Sequence, residues 1–193
     1  ATIYPNKPLI KFKIYNMLNP LQLWKSQGRM HDKYIIVDDL AYILGGRNTF
    51  DYFIGDYATN DRSRDREVLV YNTKRGDVED HTSSLWQAEA YFKKIWDLDV
   101  CTYFHNDESL REKEGVQKQI LLLEERYEKL RNENPELFET PDYVGRTVPT
   151  NQIQLVSNPT GIYGNEPVVF NQLSSLMKQA RSQVTIHTPY AIC

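Results

Sequence analysis

The chain has 193 residues, of which 40% are hydrophobic and 25% are charged, and its formal net charge is −3. This composition is typical of a soluble globular chain of one or two domains, and it excludes collagen-like, low-complexity and wholly disordered proteins. Two cysteines, Cys101 and Cys193, are too few for a disulfide framework, and no apolar run is long enough to span a bilayer.

Strand and helix signals are mixed along the chain. Alternating polarity or short apolar runs predict strands at residues 10–16, 34–37, 40–44, 67–71, 152–156 and 183–188. Apolar residues at helical spacing predict helices over residues 78–98, 108–130 and 166–181. The polar stretch 49–66 predicts an irregular loop, and the proline-containing stretch 132–149 predicts a connector. This mixture predicts an α/β or α+β fold.

A histidine and a lysine stand two residues apart at the start of a predicted hairpin. His31, Lys33 and Asp38 follow the spacing H-x-K-x4-D. On a strand, residues two apart face the same side, so His31 and Lys33 should project together while Tyr34 and Ile36 turn toward a core. An imidazole can attack phosphorus, and a nearby ammonium can neutralise the phosphoryl oxygens. Asp38 has the opposite parity and falls at the turn, where it would brace the hairpin.

A glycine pair and an asparagine follow the second strand of this hairpin. The hairpin would return Asn48 to the side of His31, where its amide could donate a hydrogen bond to the same phosphate. Gly45 and Gly46 would let the backbone approach a ligand closely. We therefore count Gly46 with Lys33 and Asn48 as candidate phosphate-binding residues.

The combined pattern resembles the signature of the phospholipase D superfamily, in which H-x-K-x4-D is followed by G-G/S-x-N. The flanking segments FKIYNMLNPLQLW and GGRNTFDYF resemble those of bacterial cardiolipin synthases. The resemblance is strong over residues 12–71, weak through the charged helix and moderate near the last residues. It implies an α/β fold of the phospholipase D type, with a mixed β-sheet flanked by helices in α-β-α layers.

The resemblance also implies chemistry without a metal or a cofactor. One histidine attacks the phosphodiester and forms a phosphohistidine, and a second histidine, from a second copy of the motif, protonates the leaving alcohol. His31, Lys33 and Asp38 would be the catalytic set of this chain. In the family, an acidic residue shortly before a later strand orients the nucleophilic histidine. Asp65 fits that place best, and Glu67 is the alternative, because the two residues have the same strand parity and alternation alone does not separate them.

The sequence contains one copy of the motif, since none of the other three histidines has a lysine two residues on. We therefore expect an internal piece of a two-motif protein. Residues 1–105 would be the later part of a first repeat, residues 106–150 a charged helix and connector, and residues 151–193 the beginning of a second repeat. Tyr190 is a candidate for lining the pocket. The second histidine would come from a further part of the chain or from a homodimer.

These features predict phosphatidyl transfer of the cardiolipin synthase type on a phospholipid substrate, in the cytoplasm at the inner face of the cell membrane, with peripheral membrane contact. The mild acidity argues against nucleic acid as a partner. Two alternatives stay open: a nuclease or phosphodiesterase of the same superfamily, and an inactive fragment with half a site. The charged helix is either a solvated helix with i,i+4 pairs or a helix that contacts a partner or a membrane surface.

Overall fold

The structure is a computed structural model, and it describes residues 11–25, 28–48, 65–72, 82–104, 108–159 and 166–186. Its strands are β1 (Lys13–Tyr15), β2 (Tyr34–Val37), β3 (Ala41–Gly45), β4 (Glu67–Tyr71) and β5 (Cys101–Tyr103). Its α-helices are α1 (Ser84–Trp96), α2 (Glu114–Glu133) and α3 (Val168–Gln179). Short 3-10 helices cover Pro20–Lys25, Glu108–Glu112 and Pro135–Phe138. Helices combined with antiparallel sheets agree with the α/β class in its general sense.

The predicted hairpin is confirmed. β2 and β3 pair antiparallel, with Tyr34 opposite Leu44. The turn between them is closed by the N–H of Leu40, which donates to the carbonyl of Val37 at 3.0 Å. Asp38 has a φ of 43°, in the left-handed region that aspartate tolerates better than most residues. The acidic turn therefore follows from the residue types that the sequence places there.

The strand β4 completes a three-stranded sheet in the order β2-β3-β4. Gly45 of β3 lies opposite Glu67 of β4. Asn72, directly after β4, binds the hairpin turn, because its backbone N–H donates to the carbonyl of Leu40 at 2.7 Å and its side-chain amide donates to the carbonyl of Asp39 at 3.0 Å. The sheet and the turn are thus fixed to each other.

The helix α1 packs on the sheet face that carries Tyr42. Its N-terminus is capped by Ser83, whose hydroxyl accepts the N–H of Trp86 at 3.1 Å. Leu85 and Ala88, one helical turn apart, are buried in one cluster with Tyr42. The cluster is enlarged by partly buried apolar residues, which are Ile36, Val70 and Leu155. The predicted inward position of the even-numbered β2 residues is therefore confirmed.

A second, two-stranded sheet pairs β1 with β5. The three residues of β5 show no extended alternation, and the sequence did not predict this strand. Lys13 joins the sheet to the end of α1, because its ammonium donates to the carbonyl of Trp96 at 2.5 Å. The same ammonium lies 5.0 Å from the ring centre of Trp96 and 4.8 Å from that of Tyr103, within the range of cation–π attraction.

Two predicted strands are wrong where the structure describes them: residues 152–156 and 183–186 form no strand. Gln152 has a φ of 62°, and the N–H of Leu155 donates to the side chain of Gln87 at 2.8 Å. A helix side chain therefore holds this segment in place of a neighbouring strand. Residues 183–186 are exposed and pair with no described strand, and an unpaired segment cannot satisfy the backbone groups of a strand.

The charged segment is helical, as predicted, but it consists of a 3-10 helix followed by α2, which ends shortly before Pro135. None of the described side chains of α2 is buried, which agrees with the interpretation of a solvated helix. The helix α3 lies within its predicted range. Among the described residues, no helix has the length and apolar character needed to cross a bilayer. The division into residues 1–105, 106–150 and 151–193 stays a prediction.

We expect Leu85→Ala to lower the free energy of unfolding by about 2–3 kcal/mol, because its neighbours can fill the resulting cavity only in part. Leu85 is 5% exposed and clusters with Tyr42 and Ala88. Chemical denaturation followed by circular dichroism measures the change. Leu121→Ala on α2, where the side chain is 64% exposed, is the matched control and should cost less than about 0.5 kcal/mol. Equal losses in the two variants would contradict the assigned core.

Candidate functional site

A cavity of about 350 Å³ lies between the three-stranded sheet, α1 and residues 155–159. Its polar and aromatic lining residues include Tyr15, Arg29, His31, Asp32, Tyr34 and Tyr91. Its aliphatic lining residues include Leu44, Ile95, Leu98, Leu155 and Val169. A volume of this size is typical of sites for small molecules. This mixed lining suits a ligand with both polar and apolar parts.

His31 lies at this cavity, whereas Lys33 does not line it. The expectation that both residues stand on a strand is wrong, because β2 begins at Tyr34. The ammonium of Lys33 donates to the backbone carbonyl of His31 at 2.7 Å. The lysine therefore supports the histidine segment in this structure, and it would have to release that carbonyl to reach a phosphate in the cavity.

The hairpin does bring the two halves of the motif together. The N–H of Gly45 donates to the carbonyl of Lys33 at 3.1 Å, so the glycine segment returns beside the histidine segment. Asn48 is half-buried. Neither Asn48 nor Gly46 lines the cavity. Their roles as phosphate-binding residues therefore stay predictions.

The two glycines face different neighbours. A Cβ on Gly45 would lie 2.5 Å from the Cγ of Glu67 and 3.1 Å from the backbone carbonyl of Arg66. Gly45 is therefore required by the close approach of β4. A Cβ on Gly46 would lie 3.5 Å from the carboxylate of Asp65, which is ordinary contact, so packing does not exclude a side chain at that position.

Arg47 contacts both candidate histidine-orienting residues. Its guanidinium forms an ion pair with the carboxylate of Glu67 and also donates to the backbone carbonyl of Asp65 at 3.0 Å. The hydrogen bond to Glu67 raises the pKa of Arg47 above its ordinary value. The Glu67 carboxylate is thus bound by Arg47, and the charge of Asp65 also contributes to the raised pKa of Arg47. The Asp65 carboxylate lies beside Gly46. The sequence did not predict this ion pair.

Asp38 lies at the far end of the hairpin from His31. The four residues of β2 separate the two positions, a distance of at least about 13 Å along the strand. Asp38 is exposed and occupies the turn. This placement agrees with a role in bracing the hairpin and is remote from the cavity wall.

Asp32, Tyr34 and Tyr91 form a polar cluster that the sequence analysis missed. The hydroxyl of Tyr91 donates to the carboxylate of Asp32 at 2.6 Å, and the rings of Tyr34 and Tyr91 lie 6.2 Å apart. Burial, reinforced by the charge of Asp32, raises the pKa of Tyr34 to about 12. Burial and the hydrogen bond to Asp32 also raise the pKa of Tyr91. The inward parity of Tyr34 and the helical spacing of Tyr91 were the available sequence signals.

Residues 155–159 contribute a wall of the cavity although they form no strand. The side chain of Gln87 holds Leu155 against α1, as described above. The side-chain oxygen of Asn158 accepts the N–H of Val169 at 3.0 Å, which fixes the start of α3 beside the same wall. Tyr190 and residues 49–64 lie outside the described residues, so the predictions made for them are not addressed by the structure.

Within the described residues, no group of three or more potential metal ligands among His, Cys, Asp and Glu comes together. A scan of protein-family models, a search of curated proteins and a search of solved structures each found no match to this chain. The resemblance to the phospholipase D superfamily therefore rests on the motif residues and their flanking segments.

We expect Gly45→Ala and Gly46→Ala to differ in stability. Gly45→Ala should lower the free energy of unfolding by about 1–3 kcal/mol, because the new methyl group would overlap β4. Gly46→Ala should stay within about 0.5 kcal/mol of the wild type, because its methyl group meets only ordinary contacts. Chemical denaturation of the two variants side by side tests this difference. A larger loss in Gly46→Ala than in Gly45→Ala would contradict the described packing of β3 on β4.

We expect Asp32→Asn to lower the pKa of Tyr34 from about 12 and to lower that of Tyr91, because the substitution removes a charge that opposes tyrosine ionisation. Both pKa values are raised in the folded state, so the wild type should lose stability as the pH rises from about 10 to about 12. Absorbance titration of tyrosinate, combined with denaturation at each pH, measures both effects. Tyr103→Phe, outside the cavity, is the control. Unchanged tyrosine titration in Asp32→Asn would refute the assigned coupling.

Proposed function

We propose that this chain carries a phosphodiester-transfer site of the phospholipase D superfamily, with His31 as the nucleophile or as its general acid/base partner. The proposal includes the layered α-β-α fold of that superfamily around the observed sheet. The substrate is a phospholipid, and the reaction is phosphatidyl transfer of the cardiolipin synthase type. No metal or cofactor takes part in the proposed steps.

One observation carries the proposal: the hairpin holds the H-x-K half of the motif against the G-G-x-N half at the edge of a cavity. The bond from Gly45 to the carbonyl of Lys33 joins the two halves, and His31 lines the cavity. Arg29 lines the same cavity and adds a cation to its lining. A phosphodiester is an anion, so the positive charge of Arg29 would favour its binding beside His31.

The proposed reaction has two steps. An imidazole nitrogen of His31 attacks phosphorus, the bond from phosphorus to the leaving oxygen breaks, and a second imidazole gives its proton to the leaving alkoxide. The incoming alcohol then loses its proton to the second imidazole and attacks the phosphohistidine, which restores His31. The second imidazole would come from another copy of the motif, in a further part of a longer chain or in a homodimer.

The remaining site residues take supporting roles in this proposal. Lys33 and Asn48 hold the phosphate, with Gly46 leaving room for it. Asp65 is preferred over Glu67 as the residue that orients His31, because Arg47 engages the carboxylate of Glu67. Asp38 supports the turn.

The aliphatic residues that line the cavity support a lipid substrate. A nucleic acid would instead need a basic groove with stacking aromatic residues, whereas this lining combines the carboxylate of Asp32 with several aliphatic side chains. The proposal includes a location in the cytoplasm, at the inner face of the cell membrane. A superfamily nuclease and an inactive half-site are the outcomes against which this proposal is tested.

The test uses bis(p-nitrophenyl) phosphate, whose leaving group departs without a proton from a second imidazole. The wild-type chain should release p-nitrophenolate and acquire a phosphoryl adduct at His31, found by mass spectrometry under basic conditions. His31→Ala should lower the rate by about three orders of magnitude while leaving the circular dichroism spectrum unchanged. His81→Ala, which removes a histidine outside the motif, is the matched control and should keep the wild-type rate.

Natural substrates then distinguish the hypothesis of a phospholipid substrate from that of a nucleic acid substrate. Vesicles of phosphatidylglycerol and a single-stranded DNA are offered to the same preparation. Adduct formation with the lipid alone supports the proposal, whereas adduct formation with DNA alone favours the nuclease. A chain that forms no adduct with any of the three substrates is the inactive half-site and overturns the proposal.

A further inference from the structure

Residues 17–24, in the loop between β1 and His31, present five large apolar side chains to solvent. These are Met17, Leu18, Leu21, Leu23 and Trp24, and their exposed fractions range from 52% to 82%. Single exposed apolar residues are ordinary on a protein surface. Five within eight consecutive residues form a patch, and such patches mark surfaces that contact another phase or molecule.

Local hydrogen bonds order this loop. The side-chain amide of Asn16 donates to the carbonyl of Gly28 at 2.6 Å, which closes the base of the loop. The side-chain oxygen of Asn19 accepts the N–H of Leu21 at 2.9 Å, and its carbonyl accepts the N–H of Gln22 at 2.9 Å. These bonds shape the backbone at the start of the 3-10 helix, where the apolar side chains are exposed.

The loop also lies in the most basic part of the chain. Residues 11–33 contain five basic residues and one acidic residue, which is Asp32, although the net charge of the whole chain is −3. The remainder of the chain is therefore more acidic than the whole. Lys11 and Arg29, on the two sides of the loop, are exposed. Apolar side chains combined with flanking cations complement a membrane that carries negative lipids.

We propose that residues 17–24 insert into the surface of a bilayer that contains anionic phospholipids, with the flanking basic residues on the lipid phosphates. Tryptophan favours the boundary between lipid and water, and Trp24 is one of the exposed residues. Gly28 at the base of the loop directly precedes Arg29, which lines the cavity beside His31. The inference rests on the proposed function, since this contact would bring lipid phosphodiesters to the cavity.

The test measures binding of the full chain to vesicles of phosphatidylcholine with and without phosphatidylglycerol. We expect sedimentation with the anionic vesicles and little with the neutral ones. A Leu21→Ser/Leu23→Ser variant should bind the anionic vesicles at least about tenfold more weakly, because two leucine side chains no longer enter the lipid. A Leu121→Ser/Leu123→Ser variant of α2, whose leucines are 64% and 62% exposed, is the matched control and should bind as the wild type does.

Tryptophan fluorescence reports which part of the chain meets the lipid. Anionic vesicles should shift the emission of the wild type to shorter wavelength, and Trp24→Phe should lose this shift although Trp86 and Trp96 remain. The inference is overturned if the wild type does not bind anionic vesicles, or if it binds neutral vesicles equally well. It is overturned as well if the two double-serine variants lose the same amount of vesicle binding. It is also overturned if the loop variant abolishes self-association of the chain while vesicle binding is unchanged.

One further variant separates this inference from the proposed chemistry. His31→Ala should bind anionic vesicles as tightly as the wild type does, because His31 lies outside residues 17–24. Vesicle binding without any phosphohistidine would leave the membrane contact intact and overturn the chemistry. Phosphohistidine from the soluble diester without vesicle binding would overturn the membrane contact alone.

Discussion

The register of the β2–β3 hairpin is the constraint on which the rest of the structure depends. Side chains alternate across a strand, so a slip of one residue would move Tyr42 from the core to the opposite face. The turn at Asp38, the bonds from Asn72 and the missing side chain at Gly45 all fix this register. Once it is fixed, the backbone of Lys33 meets that of Gly45, and two motif halves separated in sequence become neighbours.

Packing between elements positions the residues that lie outside the paired strands. His31 and Asp32 precede β2, so their positions depend on contacts with other parts of the chain. Tyr91 of α1 binds Asp32, and α1 is held on the sheet because Leu85 is buried there. The cavity wall is therefore assembled only when the helix docks, and hairpin formation alone would leave the histidine segment without its anchor.

The hairpin, β4 and the three helices could be predicted from the sequence, because each has a polarity pattern that continues over several residues. Features that depend on contacts between distant residues could not be predicted in this way. The strand β5 is too short to show a period, and the segment at Leu155 alternates like a strand although Gln87 takes its N–H. In the site, the spacing of the motif predicted that its two halves meet, but strand alternation did not separate Asp65 from Glu67. The ion pair between Arg47 and Glu67 joins residues twenty positions apart and left no signal in the local sequence.

Net charge is a poor guide to the partners of this chain because its charges are segregated. The value of −3 averages the basic residues 11–33 with a more acidic remainder. The basic part contains both the exposed loop and His31, so an anionic surface would attract that side of the molecule and repel the rest. The acidic remainder weakens the overall attraction of the molecule to an anionic surface, but the separation of charges would orient the molecule on that surface. A lipid surface approached in this way meets the loop first, and the base of the loop adjoins the residues that line the cavity.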